Sequence, residues 1–323
     1  MPGRGIVDHA AYLPYRRLDL AEVAAVAGGG GGKGTRPVAS YDEDTTTMAV
    51  AAARRCDLAG VEALWFATTT PAYLDKTNAT AVHAALRLDP AAPAFDANGS
   101  VRSAVGALRA ALPEGAGRAL VVMSDLRTGL PGSPDEAAGG DGAAAFVVGD
   151  DPIAEVLGWG SATAEFLDRW RTPGAPASKL WEERFGEGQY VAAGRAAWDE
   201  ALKATGLAAD EIDRVAVVGS HARAVARFGK GLTAEVVGLP AGTGFAGAAA
   251  PGLALGHLLD TTGPGRTVAL VVLADGADVV VLRTTDRHQP SAVAAGTSDS
   301  AAPAEPATAP VAYGTYLRWR GLL

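Results

Sequence analysis

The chain repeats itself, and this limits its fold more than any other feature. Ala119–Asp125 (ALVVMSD) returns as Ala269–Asp275 (ALVVLAD), about 150 residues further on. Asp141-Gly142-Ala143 and the apolar run behind it return as Asp275-Gly276-Ala277 and a second apolar run. Val61–Ala67 has its counterpart in Ile212–Val218. Each copy is an apolar run of strand length set between helical stretches. Alternating strands and helices predict mostly parallel sheets covered by helices. Two copies of one α/β unit pack face to face, which predicts five layers, α-β-α-β-α, with function on the seam. Ser100 then begins one central buried helix and Ala250 begins its mate. The small residues of Gly242–Gly256 suit a helix that must approach another backbone closely.

Smaller elements follow from the same pattern. Ile6–Tyr12, Leu64–Ala67, Ala119–Met123 and Ala143–Val148 read as strands. Leu18–Val26, Thr45–Arg55, Ala79–Leu88 and Ser100–Leu112 read as helices, with Thr45 as an N-cap. The organisation expected is an N-terminal half over 1–150 and a C-terminal half over 151–285. A Pro/Ala-rich linker over 286–310 and an aromatic, basic tail over 311–323 follow. That tail suggests a docking segment or the start of another domain; the alternative is a tail that returns to its own core.

Composition excludes several classes. The net charge is −8, and no basic stripe is present to release phosphate counterions, which disfavours nucleic acid as a partner. Cys56 is the single cysteine, so an internal disulfide and a cysteine-based metal site are excluded, in keeping with a reducing cytoplasm. The N-terminus has no apolar core of a signal peptide, and no apolar run is long enough for a membrane span. The chain is expected to be cytoplasmic, with no metal and no resident cofactor.

Several motifs carry competing readings. Gly28–Thr35 invites a phosphate loop, but Gly34 follows Lys33 where a hydroxyl is needed, so a surface loop is the better reading. Asp42-Glu43-Asp44 resembles a metal cluster, yet acidic residues at a helix N-terminus are favoured by the helix dipole. The five histidines lack zinc-ligand spacing. His221 follows the strand Val215–Val218, at the sheet edge where α/β proteins bind ligands; the alternative is an exposed loop histidine. Arg223 and Arg227 behind it could meet an anion, and Gly276 is assigned with them to ligand binding. Ser100 stands where a helix dipole favours a nucleophile or an anion, and where an ordinary N-cap would also stand.

Together these features resemble the thiolase superfamily, and within it the hydroxymethylglutaryl-CoA synthases, which are β-ketoacyl synthase III-like. The signposts lie between Gly5 and Thr285: Tyr12-Leu13-Pro14, Val38–Val50, Gly139–Ala145 and Ala274–Asp278. The resemblance implies the five-layered duplicated thiolase fold, a homodimer, and an acyl-CoA ligand bound in a narrow tunnel. It also implies that the catalytic cysteine, glutamate and histidine of the family fall on Ser100, Thr69 and His221. The family's asparagine falls on Phe245, with Thr243 as the other candidate. The tail Tyr313–Gly321 resembles the entry into a zinc-ribbon/OB-fold acyl-CoA-binding module, to be supplied in trans or cut away.

Serine is a far weaker nucleophile than thiol near neutral pH, and threonine carries no titratable proton there. Three readings result. The first is an enzyme acting on a CoA thioester in C–C bond formation or cleavage of aldol type, or in decarboxylation, without an acyl-enzyme. In it His221 moves a proton, Ser100 donates a hydrogen bond and Tyr73 serves as a second acid. The second is a non-catalytic dimeric scaffold, and the third a true synthase acylated on Ser100.

Overall fold

One continuous ten-stranded sheet, five strands from each copy of the repeat, organises the molecule. The computed structural model describes residues 3–28, 32–113, 115–290 and 308–323. The first copy runs β1 (Gly5–Tyr12), β2 (Arg16–Asp19), α1 (Leu20–Ala27), β3 (Thr35–Val38), α2 (Thr45–Ala53), β4 (Val61–Thr68) and α3 (Ala79–Leu86). It continues with β5 (Ala94–Asn98), α4 (Arg102–Ala110), β6 (Arg118–Asp125), α5 (Pro134–Ala138) and β7 (Gly142–Gly149). The second copy runs β8 (Ala154–Thr163), the short β9 (Arg169–Trp170) and β10 (Lys179–Leu180), α6 (Glu183–Thr205), β11 (Arg214–Gly219), α7 (Ala222–Lys230) and β12 (Glu235–Val236). It closes with α8 (Ala249–Asp260), β13 (Thr267–Leu273) and β14 (Gly276–Thr284), before β15 (Ala309–Val311) and α9 (Tyr313–Trp319).

The strand orders β5-β4-β6-β7-β1 and β12-β11-β13-β14-β8 are the same walk taken twice. In each, three neighbouring strands are parallel and the remaining pairs antiparallel. The two halves of the sheet join edge to edge at β1 and β8, through the pairs Gly5–Glu155 and Ile6–Ala154.

Alternation along the strands assigns the layers. Ala119, Val121 and Met123 of β6 face a core shared with α4, α8 and the inner residues Val268, Leu270 and Val272 of β13. Leu120 and Val122 face the other way, onto α2 and α3. Ala269, Val271 and Leu273 face α6 and α7. Because side chains alternate with period two, each strand is apolar on both faces, as buried parallel sheets require. The result is helix–sheet–helix–sheet–helix, as the repeat predicts. The central layer packs tightly on the sheet: a Cβ on Gly252 of α8 would stand 2.7 Å from Ala144 Cβ of β7 and 2.9 Å from Met123 Sδ of β6.

One local expectation changes at the start of α2. The N-cap of α2 is Asp44, not Thr45: its carboxylate accepts from the Thr47 N–H at 2.7 Å, and the Thr47 hydroxyl oxygen accepts in turn from the Asp44 N–H at 2.7 Å. Glu43 accepts from the Tyr12 hydroxyl and, at 2.8 Å, from the Ser40 N–H, so the acidic run is a capping device. Residues 29–31 of the glycine loop and 291–307 of the expected linker lie outside the described residues. The described flanks of that linker are anchored, since His288 bonds the Leu259 and Thr262 carbonyls and β15 pairs with β2.

The tail is not a free docking segment. Val311, Tyr313, Tyr316 and Leu317 pack on Leu18, Val23 and Val38. Arg320 pairs with buried Asp141, which also holds buried Arg36, and the Tyr313 hydroxyl donates to Glu136 at 2.9 Å. A tail carrying this much apolar surface is best buried on its own body. No helix among the described residues is long and apolar enough to cross a membrane.

Candidate functional site

The carboxyl ends of the parallel strands of both halves converge on one cavity of about 270 Å³. Thr69 follows β4, Gly99 and Ser100 follow β5, and Arg127 follows β6. Ser220 follows β11, and Ala274 and Asp275 follow β13; all of them line it. Ligands collect at this edge of α/β sheets because loops, not strands, close it. The remaining wall comes from the β9–β10 hairpin (Arg169, Trp170, Arg171, Ser178), from Tyr190 of α6 and from Phe245.

Ser100 sits just ahead of α4 on a turn made by Gly99, whose φ of +114° lies where a side chain is strained. Its hydroxyl does not cap α4; the cap position is Val101, and no side-chain capping bond forms. Ser100 therefore does not cap α4, and it lines the cavity.

Phe245, rather than Thr243, stands at the site. Thr243 is buried with its hydroxyl on the Pro240 carbonyl at 2.8 Å. The Phe245 ring lies against the Arg127 guanidinium, 5.7 Å from centroid to carbon.

Beneath Thr69 lies a residue the sequence reading missed. Asp125 is fully buried at the end of β6. Its carboxylate accepts from the hydroxyl of Thr69 at 2.6 Å, from the hydroxyls of Thr68 and Thr70, and from the Thr69 N–H at 3.3 Å. It also accepts from the Ala248 N–H at 2.7 Å, at the positive end of α8. The signal was present in the repeat, which places Asp125 at the position of Asp275. Asp275 faces the cavity instead, and burial raises its carboxyl pKa while Arg102 draws it down. Burial likewise raises the Tyr190 hydroxyl pKa, which keeps it a neutral donor.

Three arginines face the cavity. Arg169 forms a double-pronged pair with Asp135. Arg127 Nη1 reaches the Thr69 hydroxyl oxygen at 3.4 Å, and Arg171 donates to the Thr69 carbonyl. Burial lowers the Arg127 pKa, with Asp125 raising it again.

Other assigned residues stand elsewhere. His221 is the N-cap of α7: its Nδ1 accepts from the Ala224 N–H at 3.1 Å and its Nε2–H donates to the Glu183 carbonyl at 2.7 Å. Both ring nitrogens are engaged, and the imidazole lies behind Tyr190, with ring centroids 5.8 Å apart. In this arrangement the ring caps α7, and His221 is not among the residues lining this cavity. Tyr73 is half exposed beside Lys76 and does not line this cavity. Arg223 and Arg227 lie on the outer face of α7 in pairs with Glu183 and Glu187 at 3.0 and 2.9 Å, and do not meet the cavity. Gly276 touches no cavity; it makes the β13–β14 turn, where a Cβ would come within 2.1 Å of the Ala162 carbonyl. Cys56, just past α2, is far from the site in the fold, and burial pushes its thiol up to about 12.

No family model matches the chain. It is 30% identical over 307 residues to a hydroxymethylglutaryl-CoA synthase of Aeropyrum pernix, covering 87% of this chain and 85% of that protein. It is 26% identical over 313 residues to one of Methanosphaera stadtmanae, covering 88% and 89%. A crystal structure of HMG-CoA synthase complexed with CoA superposes with a TM-score of 0.79 at 17% identity, covering 98% of this chain and 90% of that one. The 3-oxoacyl-(acyl carrier protein) synthase III of Pseudomonas aeruginosa gives 0.76 at 23%, covering 89% and 100%.

Proposed function

The chain belongs to the hydroxymethylglutaryl-CoA synthase family, and from that premise we propose that it binds an acyl-CoA in the seam cavity and makes or breaks a C–C bond beside the thioester without an acyl-enzyme. The observation that carries this is that Ser100, a poor nucleophile, and Asp275, a carboxyl able to take up a proton, line one cavity at the ends of the parallel strands. The Asp275 carboxylate takes a proton from the carbon next to the thioester carbonyl. The enolate oxygen accepts hydrogen bonds from the Ser100 and Tyr190 hydroxyls. The enolate carbon attacks a second carbonyl, and the protonated Asp275 returns its proton to the new alkoxide. Cleavage is the same path reversed.

Support for a condensation without covalent catalysis also comes from Cys56, whose thiol is raised and remote. The scaffold reading draws on a different observation, the engagement of His221 as a helix cap. The assembly we propose is a homodimer through β5, an edge strand among the described residues that presents the half-exposed Phe95.

Deuterium exchange from acyl-CoA in heavy water, read by mass spectrometry, tests the enzyme reading. Exchange is expected, and Asp275→Asn should slow it by about 10²–10⁴-fold. Binding without exchange favours the scaffold. An acyl adduct on Ser100 in the intact-protein mass restores the synthase reading and overturns this one.

A further inference from the structure

We propose that Arg102 is a positioning residue for the seam cavity: from the first turn of α4 it reaches across to the second copy of the repeat and clamps the β13–β14 turn, which holds Asp275 in the cavity that Ser100 also lines. This rests on the enzyme reading above and adds a residue that acts through another.

Arg102 stands two residues after Ser100, and all three of its guanidinium nitrogens donate to the other half of the chain. Nε and Nη2 donate to the two carboxylate oxygens of Asp278 on β14, at 2.6 and 3.2 Å. Nη1 donates to the Thr163 hydroxyl at the end of β8, at 2.9 Å, and to the Asp275 carbonyl at 3.1 Å. Asp278 also accepts from the Ser161 hydroxyl at 2.7 Å. A planar fork spans these acceptors at once, which the point charge of a lysine does not. The residue it clamps is strained. Asp275 has a φ of +47°, in the left-handed region, and Gly276 behind it has +112°. A non-glycine residue in that region persists where its surroundings over-determine it. The Ala274 N–H closes the turn on the Gly276 carbonyl at 3.1 Å, and Arg102 supplies the bond to Asp275 itself.

The repeat shows that the fold does not need this ion pair. Asp278 stands opposite Val272 on the β13–β14 ladder, and Ala144 stands opposite Met123 on the matching β6–β7 ladder of the first copy. In each case a central helix from the other copy crosses over that residue. α4 meets Asp278 with Arg102, whereas α8 meets Ala144 with Gly252. A glycine on an alanine fills the crossing in one half. In the other half an arginine on an aspartate fills it, between residues 99–101 and 274–275 of the cavity wall. A half-buried ion pair adds little net stability over apolar packing, so this pair is explained by what it positions. Charge adds a second effect: burial raises the Asp275 carboxyl, Arg102 draws it down, and Glu165 raises it. The other titratable groups on the wall are Arg127, Arg169, Arg171 and Tyr190, and Asp278 neutralises Arg102 from behind.

The test measures exchange of acetyl-CoA in heavy water across pH for the parent, Arg102→Met, Arg102→Lys, and Arg102→Met combined with Asp278→Asn, which leaves no unpaired buried carboxylate. In parallel the Asp275 carboxyl is titrated by carbon-13 NMR of the aspartate-labelled full chain, its signal assigned by its loss in Asp275→Asn. In the double variant the turnover rate is expected to fall about 10²-fold with KM held within about twofold. In Arg102→Met the acid limb of the exchange profile and the NMR midpoint should move together to higher pH, because the cation that favoured the carboxylate is gone. Arg102→Lys keeps the charge and loses the fork, so the midpoint should return toward the parent while the rate stays about tenfold low. A parental rate and acid limb in Arg102→Met and the double variant overturn the proposal. So does a loss of rate matched by an equal loss of acetyl-CoA affinity in calorimetry, the mark of a purely structural role. If a methionine variant does not fold, Arg102→Lys decides by the same split of rate from midpoint. If the parent exchanges nothing, the enzyme reading fails and the NMR midpoint decides alone. A shift in Arg102→Met that Arg102→Lys reverses then upholds the coupling, and an unmoved midpoint refutes it.

Discussion

Asp125→Ala should be among the most destabilising single substitutions in the chain. The carboxylate is fully buried and ties three elements together: the threonines that end β4, its own strand β6, and the first residue ahead of α8. Hydroxyls of Thr68, Thr69 and Thr70 can rotate to new acceptors. The backbone N–H groups of Thr69 and Ala248 cannot. Each buried donor left without a partner costs about 1–3 kcal/mol, so two cost about 2–6 kcal/mol. At roughly 2–4 °C per kcal/mol for a chain of this class, a fall in Tm of about 10 °C is expected. Asp125→Asn keeps the volume but turns one acceptor into a donor, and should fall between the two. Thermal unfolding followed by circular dichroism, with urea titration for the midpoint, measures all three proteins. Asp57→Ala, which removes an exposed pair with Arg118 at 3.2 Å, is the control and should melt within about a degree of the parent. An Asp125→Ala protein that melts with the parent would refute the view that this carboxylate is the knot of the site.

Other expectations follow from the same coordinates. Asp275 has a folded pKa raised above its ordinary 3.8, so its burial weakens the fold as pH rises from below 3.8 through the folded value. Asp275→Asn should therefore raise Tm at pH 7, with the gain vanishing below about pH 3.5, even as it removes exchange activity. Gly252→Ala forces a methyl against Ala144 and Met123 in the central helix layer, and should cost about 1–3 kcal/mol in urea unfolding. Cys56, its thiol raised to about 12, should react with a thiol reagent at pH 7.5 at least tenfold more slowly in the native chain than in urea. Phe95→Lys should shift the sedimentation coefficient from dimer to monomer, and an unchanged value would reject pairing through β5.

The architecture was legible because a repeat is a statement about topology. Once ALVVMSD and ALVVLAD are read as the same strand, the duplicated strand order and the paired central helices follow from packing rules alone. The resemblance put the family's catalytic positions on Ser100, Thr69 and, with Thr243 as the other candidate, Phe245; Ser100, Thr69 and Phe245 line the seam cavity. His221 shows where such reading stops. A strand-end histidine looks the same in sequence whether its ring enters a cavity or caps the next helix. Here α7 begins at Ala222, immediately after it, which leaves no loop to carry the ring toward the cavity. Tyr73 failed for a related reason: four residues along an extended loop fix no direction, and this loop turns outward.

The charge of the site was illegible for a different reason, although its origin was in view. The repeat offset is 150 at Ala119 and Ala269 but 134 at Asp141 and Asp275, so the first half carries an insertion between β6 and β7. In the second half that connection is the tight turn at Gly276. The insertion holds Arg127, Asp135, Glu136 and Asp141, and through them it reaches the cavity, the β9–β10 hairpin and the tail. Arg127 lines the cavity, Asp135 fixes Arg169, Glu136 accepts from Tyr313, and Asp141 holds both Arg36 and Arg320. One inserted segment thus sets the electrostatics of the seam and anchors the C-terminal helix to it. Loss of the Arg320–Asp141 pair should then be felt at the cavity, because the Asp141 carboxylate also accepts from the Arg127 N–H at 2.8 Å. Arg320→Met leaves the buried Asp141 carboxylate one guanidinium short and should lower Tm by several degrees in thermal unfolding. An unaltered Tm would mean that the tail is anchored to this segment without stabilising it.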